Sequence, residues 1–268
     1  LVIGRGQENI SVSSDVQPFY GACSEVAYMK DGDNFLISKD GIKSQPDFEI
    51  PDFEPLQGVY DEQDPGNFPH MMLKEIHDQP TSLSNALSGR ISSDGLGTEL
   101  SGFALSPDEI RNVERINLVA CGTAYYASEI ISSYIRKFTS IRSEAFIASE
   151  FPAKSVCSEN TLTIGVSQSG ETKDTLDALF EAKKFGSHIS SFCNVIGSTM
   201  ARLTGNGAYL HAGPEYAVAS TKVFTNMVAV GLLFALTVSD VKKSEKKKII
   251  QELRKIPNKW LFTSYYLR

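Results

Sequence analysis

The spacing of apolar and polar positions changes character along the chain. In residues 1–50 the apolar residues come in short runs, at 1–3, 26–29 and 35–37, with polar or glycine-containing segments between them. This predicts short strands and fits the last part of an antiparallel sheet. Lys30-Asp31-Gly32-Asp33 lies between the last two runs and predicts a hairpin turn, since Asp-Gly readily adopts the backbone a tight turn needs. Residues 51–69 lose the pattern. Pro51, Pro55, Pro65 and Pro69 break regular structure, and Asp52, Glu54, Asp61, Glu62 and Asp64 keep the segment in water, so it reads as a linker.

Helical spacing begins at residue 70. One helix is expected over 70–76, and a second starting at Pro80 and continuing over 81–87, because proline suits a first helical position. Gly89 and residues 92–97 read as a loop. Ser106-Pro107-Asp108-Glu109 then has the form of a capped helix start, with glutamate three residues after the capping serine.

From Ile116 strands and helices alternate. Strands are expected at 116–120, 145–148, 162–166 and 189–193, with a weaker one near 208–210. Ala127, Ile130, Ile131, Tyr134, Ile135 and Phe138 form one helical stripe. Leu176, Leu179 and Phe180 mark a helix over 173–184, and a short helix covers 199–203. A long helix runs from 220 to about 237, with Val223, Phe224, Met227, Val228, Gly231 and Phe234 on its buried face. Such alternation specifies an α/β fold with a doubly wound, mainly parallel sheet. Beyond it, five lysines within 242–248 precede the amphipathic stripe Ile249, Ile250 and Leu253, and Pro257 and Trp260 suggest a turn into another element.

Ligands of such sheets bind beyond the carboxyl ends of the strands. The turn Ser167-Gln168-Ser169-Gly170-Glu171-Thr172 belongs there. It joins a buried strand to a helix whose first amide hydrogens need acceptors. Three hydroxyls and a glycine at that place suit an anion, most simply a phosphate. Two further turns, 121–123 and 217–221, also bring hydroxyls to helix starts on the same edge. The competing reading is that these hydroxyls only cap helices. Neither Gly122 nor Gly170 is followed by the Lys-Ser or Lys-Thr of a nucleotide-hydrolase phosphate loop, and Cys121-Gly122-Thr123 lacks the spaced glycines of a dinucleotide fingerprint.

Composition narrows the classes. The chain has 268 residues, 41% of them hydrophobic, and a formal charge of -6, which speaks against a nucleic-acid partner. The longest apolar run, at 227–238, is about half of what a membrane span needs, and the start lacks a secretion signal, so no membrane partner is expected. Cys23, Cys121, Cys157 and Cys193 fit neither a zinc pattern nor a disulfide framework. Free thiols in a cytoplasmic protein are the expectation. His70 and His77 are too far apart to chelate one metal, and no metal site is expected. The chain opens on leucine in mid-strand and ends without a stop signal, as an internal fragment would.

The ordered set Ala120-Cys121-Gly122-Thr123, Ala148-Ser149-Glu150-Phe151, the turn 167–172, Cys193-Asn194-Val195 and Val218-Ala219-Ser220-Thr221-Lys222 resembles the glutamine–fructose-6-phosphate aminotransferase family. Residues 72–80 look like the stretch that opens its isomerase part, and Leu1-Val2-Ile3-Gly4 like the late part of its glutaminase domain. The resemblance implies the following layout: 1–50, the end of a glutaminase domain; 51–69, a linker; 70–115, a helical lead-in; 116–240, a first sugar-isomerase (SIS) subdomain; 241–268, the start of a connection to a second. It implies formation of glucosamine 6-phosphate from fructose 6-phosphate and glutamine, with no cofactor. Ser167, Gln168, Ser169 and Thr172 would hold the phosphate. Cys121, Gly122, Thr123, Val218, Ala219 and Ser220 would line the sugar pocket. Ala124 stands where the family commonly has serine.

The family's amino-terminal glutaminase cysteine and its glutamate, histidine and lysine acid–base groups have no counterparts among these residues. No catalytic residue is therefore expected, and glutamine would be handled only by a glutaminase region outside this chain. Lys222 reads as helix-start packing or a charge near the pocket rather than a Schiff-base amine. A homodimer is implied. The alternative is a non-enzymatic SIS-domain sugar-phosphate sensor.

Overall fold

The computed structural model describes residues 1–264 except 8, 14–15, 20, 30–31, 39–40, 45–51, 57–64 and 96. The chain divides into two units, Leu1–Asp64 and Pro65–Arg268.

In the first unit, β1 (Val2–Arg5), β2 (Ile10–Ser13), β3 (Glu25–Tyr28) and β6 (Glu54–Pro55) form an antiparallel sheet in the order β2-β1-β3-β6. Val2, Phe19 and Val26 make its small core. β4 (Phe35–Ser38) and β5 (Gly41–Ser44) form a separate ribbon. The expected hairpin between the runs at 26–29 and 35–37 is therefore corrected. β1 and β6 occupy both edges of β3, and β4 pairs with β5 instead. Gly32 has the positive φ of 96° expected of it, but Lys30 and Asp31 lie outside the described residues. The expected linker opens on a strand, β6. Its residues 57–64 also lie outside the described set.

The second unit opens on α1 (Met71–Leu87), a single helix where two were expected. Pro80 has no amide hydrogen to give the carbonyl of Ile76. The Gln79 side chain supplies it, with Nε2 donating to Ile76 O at 3.2 Å, so the helix continues. His70 precedes the helix as its cap, Nδ1 accepting from Leu73 N, and His77 stacks on Phe68. Next come α2 (Pro107–Arg111), β7 (Arg115–Ala120), α3 (Thr123–Phe138), β8 (Arg142–Ile147), α4 (Ala153–Val156) and β9 (Thr161–Ser167). They are followed by α5 (Lys173–Lys184), β10 (His188–Cys193), α6 (Thr199–Thr204), β11 (Gly207–Tyr209), α7 (Lys222–Thr237) and α8 (Lys243–Ser264). α8 passes through Pro257, where a turn was expected. Ile250, Leu253 and Pro257 share one buried stripe, so the packing continues across the proline.

β7 to β11 form a fully parallel sheet in the order β11-β10-β9-β7-β8. α3 and α7 cover one face, where Ile131, Ile135, Met227 and Phe234 join Leu118, Ile164 and Phe192 in the main core. α5 and α6 cover the other, with Leu176, Leu179 and Met200 against Val119. Phe180, expected in that stripe, is half exposed, because Ala178 and Ala182 fill the inward positions. α3 and α7 pack so closely that a Cβ on Gly231 would stand 2.2 Å from Ile131 Cγ1. The sheet order fixes where a ligand can enter. From β7 the chain moves outward to β8, then crosses to β9 on the other side of β7. Loops diverge at such a reversal and leave a crevice at the carboxyl ends, here those of β7 and β9.

Candidate functional site

β9 is buried throughout and ends on Ser167. The six-residue turn after it is fixed by its own polar groups and by α6. Ser167 Oγ accepts from Gly170 N at 3.0 Å and lies 3.4 Å from Thr172 Oγ1. Ser169 Oγ accepts from Glu171 N at 3.2 Å. Met200 N donates to the Gly170 carbonyl at 3.0 Å, and Glu171 Oε1 accepts from Thr199 N at 2.8 Å, so the turn is tied to the first residues of α6. Thr172 occupies the cap position of α5 but makes no side-chain cap bond. Ser167 and Ser169 thus shape the turn as acceptors, which leaves their O–H groups able to donate, and Thr172 does not cap α5.

The turn after β7 is different. Gly122 caps α3 with φ 59° and ψ -134°, again without a side-chain cap bond. A positive φ of this kind favours glycine and lets Cys121 and Thr123 leave the strand end on one side of the bend.

The third turn departs from expectation. The start of α7 already holds an anion of the protein's own. Glu215 Oε1 accepts from Thr221 N at 2.8 Å and Val223 N at 3.3 Å. Upstream, Glu75 of α1 accepts from Tyr216 N at 2.6 Å and Ala217 N at 3.2 Å. Between these anchors Val218 and Ala219 are exposed, while Ser220 Oγ and Thr221 Oγ1 are buried without a hydrogen-bond partner.

The three turns meet in an open pocket of about 140 Å³. Cys121, Thr123, Ser167, Gln168, Ser169, Thr172 and Ser220 line it, with Ala124, Val166 and Met227 as apolar wall. Gly122, Val218 and Ala219 do not line it. Gly122 contributes only its backbone bend, and Val218 is fully exposed at the loop tip. Val166 and Met227 were not legible as site residues, because their spacing marks them equally as core. Glu75 and Glu215 were missed because they act on backbone amides, which leave no pattern in sequence.

Apart from the Cys121 thiol, which accepts a long 3.9 Å contact from Thr175 Oγ1, the pocket lining has no titratable side chain. Lys222 is outside it, buried and paired with Asp78 at 3.4 Å. Burial pushes the thiols of Cys23, Cys157 and Cys193 up, leaving them protonated packing groups. Among the described residues no cluster of three His, Cys, Asp or Glu side chains could hold a metal, and no helix is long and apolar enough to cross a membrane. Two larger cavities lie elsewhere: one of about 250 Å³ beside Gly102, Ser191 and β11, and one of about 280 Å³ beside Phe103, Leu162 and His188, at the amino ends of β9 and β10. Neither gathers hydroxyls at helix starts.

The chain is 35% identical to the glutamine–fructose-6-phosphate aminotransferase of Bacteroides thetaiotaomicron over 97% of its own length, and 36% identical to that of Clostridium tetani over 97%. The chain is similar to the glutamine–fructose-6-phosphate aminotransferases along nearly its whole length. It spans 44% of the length of these two relatives. Residues 109–237, which carry the three turns, match the SIS domain. The C-terminal domain of the Francisella tularensis aminotransferase superposes with a TM-score of 0.66 at 31% identity, covering 72% of this chain and 55% of that one. A glucosamine-6-phosphate deaminase from Thermotoga maritima shares the fold at 21% identity and a TM-score of 0.51, covering 68% of this chain and 52% of its own. The α/β fold with an antiparallel sheet ahead of it is thus that of the aminotransferase family.

Proposed function

We propose that this chain carries the sugar-phosphate site of an enzyme that makes glucosamine 6-phosphate from fructose 6-phosphate and glutamine. Ser167, Gln168, Ser169 and Thr172 hold the phosphate. Cys121, Thr123 and Ser220 face the sugar, with Gly122, Val218 and Ala219 shaping the two flanking turns. The observation that carries this reading is the convergence of uncapped, hydroxyl-bearing helix starts at the reversal between β7 and β9.

The magnitudes are sufficient. Three hydroxyls on a charged group could contribute on the order of 5–10 kcal/mol before ordering costs, against about 4–8 kcal/mol for millimolar to micromolar binding. The pocket is smaller than the roughly 300–1,000 Å³ of sites that enclose a small ligand. It would grip the phosphate and leave the rest of the sugar to be covered by another surface, which is where a second copy of the chain would contribute. The lining has no carboxylate, imidazole or amine to move a proton. These residues therefore bind and orient, and the chain by itself is proposed to bind without turnover.

The layout follows the same reading: the end of a glutaminase domain at 1–50, a linker at 51–69, a lead-in at 70–115, a first SIS subdomain at 116–240 and a connection from 241. Glutamine is handled by the family's glutaminase region. A free-standing sugar-phosphate sensor would leave the antiparallel unit without a role, and the relatives match across that unit as well. A cytoplasmic setting suits the phosphorylated substrate and the free thiols.

Calorimetry on wild type and a Ser167→Ala, Thr172→Ala variant tests the proposal. Wild type should bind fructose 6-phosphate. The variant should bind at least about tenfold more weakly, each 1.4 kcal/mol being a factor of ten. Its stability should fall by only about 1 kcal/mol, from the lost Ser167–Gly170 bond. Unchanged affinity, with stability lower by about 0.5–2 kcal/mol per hydroxyl, would mean that these groups are caps.

A further inference from the structure

The stretch 72–80 carries part of the family resemblance, yet it lines none of the pocket. Glu75 lies in it, on α1, and is 1% exposed. Burying a carboxylate is costly unless its oxygens are hydrogen-bonded. Those of Glu75 accept from the backbone of one short segment: Oε1 from Tyr216 N at 2.6 Å and Ala217 N at 3.2 Å, and Oε2 from Ala217 N at 3.4 Å. Three residues further on is Ser220, whose buried Oγ lines the pocket without a partner. Just beyond, Glu215 holds Thr221 N and Val223 N. The segment 216–221 is therefore pinned at both ends by carboxylates, and Ser220 is carried between the pins.

The remainder of the α1 face is bound to α7 independently of Glu75. Asp78 pairs with Lys222, Thr225 Oγ1 donates to Gln79 Oε1 at 2.5 Å, and Asn226 Nδ2 donates to Ser82 O at 3.0 Å. Removing the Glu75 charge leaves this seam in place. The effect on the loop can then be separated from the effect on the fold.

We infer that Glu75 is a positioning residue for the sugar pocket. It sets the 216–221 loop so that the Ser220 hydroxyl stands where the ligand's sugar end lies, while the phosphate turn at 167–172 is held separately by α6. This inference rests on the proposed sugar-phosphate reading of the pocket and adds a division of labour: Glu75 governs affinity for the sugar and not for the phosphate.

The test is an NMR titration of the full chain with fructose 6-phosphate and, separately, inorganic phosphate. Wild type, Glu75→Gln, Glu75→Ala, Ser220→Ala and the Glu75→Gln, Ser220→Ala pair are compared. Glu75→Gln should raise the Kd for fructose 6-phosphate about tenfold. The inorganic phosphate Kd should stay within about twofold, the scatter expected of uncoupled sites. Glu75→Ala should lose more than Glu75→Gln, which retains one acceptor oxygen. On the Ser220→Ala background Glu75→Gln should add nothing, because the two act through one hydroxyl. Equal weakening toward both ligands would reduce Glu75 to a structural residue. Additive losses, or unchanged affinity, would also overturn the inference. A wild-type chain that binds neither ligand is a separate result and removes the pocket reading itself.

Discussion

Gly170 shows how little latitude the turn at 167–172 has. Its φ is 69°, and a Cβ would stand 2.2 Å from Ser198 Oγ and 2.6 Å from Cys193 Sγ. Gly170→Ala therefore combines an unfavourable backbone with overpacking against a buried thiol. The expected loss in urea denaturation is about 1–3 kcal/mol, together with weaker fructose 6-phosphate binding as Ser167 and Ser169 shift. Stability within error of wild type would show that the turn is not held as described. At this scale the sequence was informative about the side chains that line the pocket. Ser167, Ser169, Thr172, Thr123 and Ser220 could be read because each brings a hydroxyl to a helix start, whereas Cys121 was named through the family resemblance. Glu75 could not be read. Its partner, Tyr216, is 141 positions away, and a backbone amide has no residue identity to recognise.

At the scale of elements, propensity located the helices and strands of the second unit to within a few residues and failed at prolines. Pro80 and Pro257 were read as boundaries, yet both lie inside helices. A side-chain amide replaces the missing donor at Pro80, and continued burial carries α8 past Pro257. The start of α2 was legible in full. Ser106 Oγ accepts from Glu109 N, and Glu109 accepts from the Ser106 hydroxyl and backbone N–H. The Ser106 hydroxyl first, then its amide, hold the Glu109 carboxyl below the usual carboxylate range. A depressed folded-state pKa means that the unfolded chain takes up the proton first as pH falls. The contribution of this cap is thus complete above the ordinary carboxylate pKa and is lost as pH drops through the lower, folded value. Thermal melts of wild type and Glu109→Gln should accordingly converge on acidification. A gap that stays constant from neutral to acidic pH would contradict the capping box.

For the whole molecule, the alternation of strands and helices announced a parallel sheet, and with it a carboxyl edge where ligands gather. The strand order was not legible. Nothing in the spacing says that β8 flanks β7 on one side and β9 on the other, yet that reversal decides which turns meet. The first unit was read less well, because its strands are only two to four residues long and pair by neighbours rather than by pattern. β6 lies inside a segment whose prolines and carboxylates signalled a linker.

The most direct measurement is a crystal structure of the chain soaked with fructose 6-phosphate. The account predicts phosphate oxygens within hydrogen-bonding distance of the Ser167, Ser169 and Thr172 hydroxyls, at the reversal between β7 and β9, with the sugar toward Cys121 and Ser220. Ligand density in the larger cavity beside Phe103 and His188, or an empty turn at saturating ligand, would contradict it.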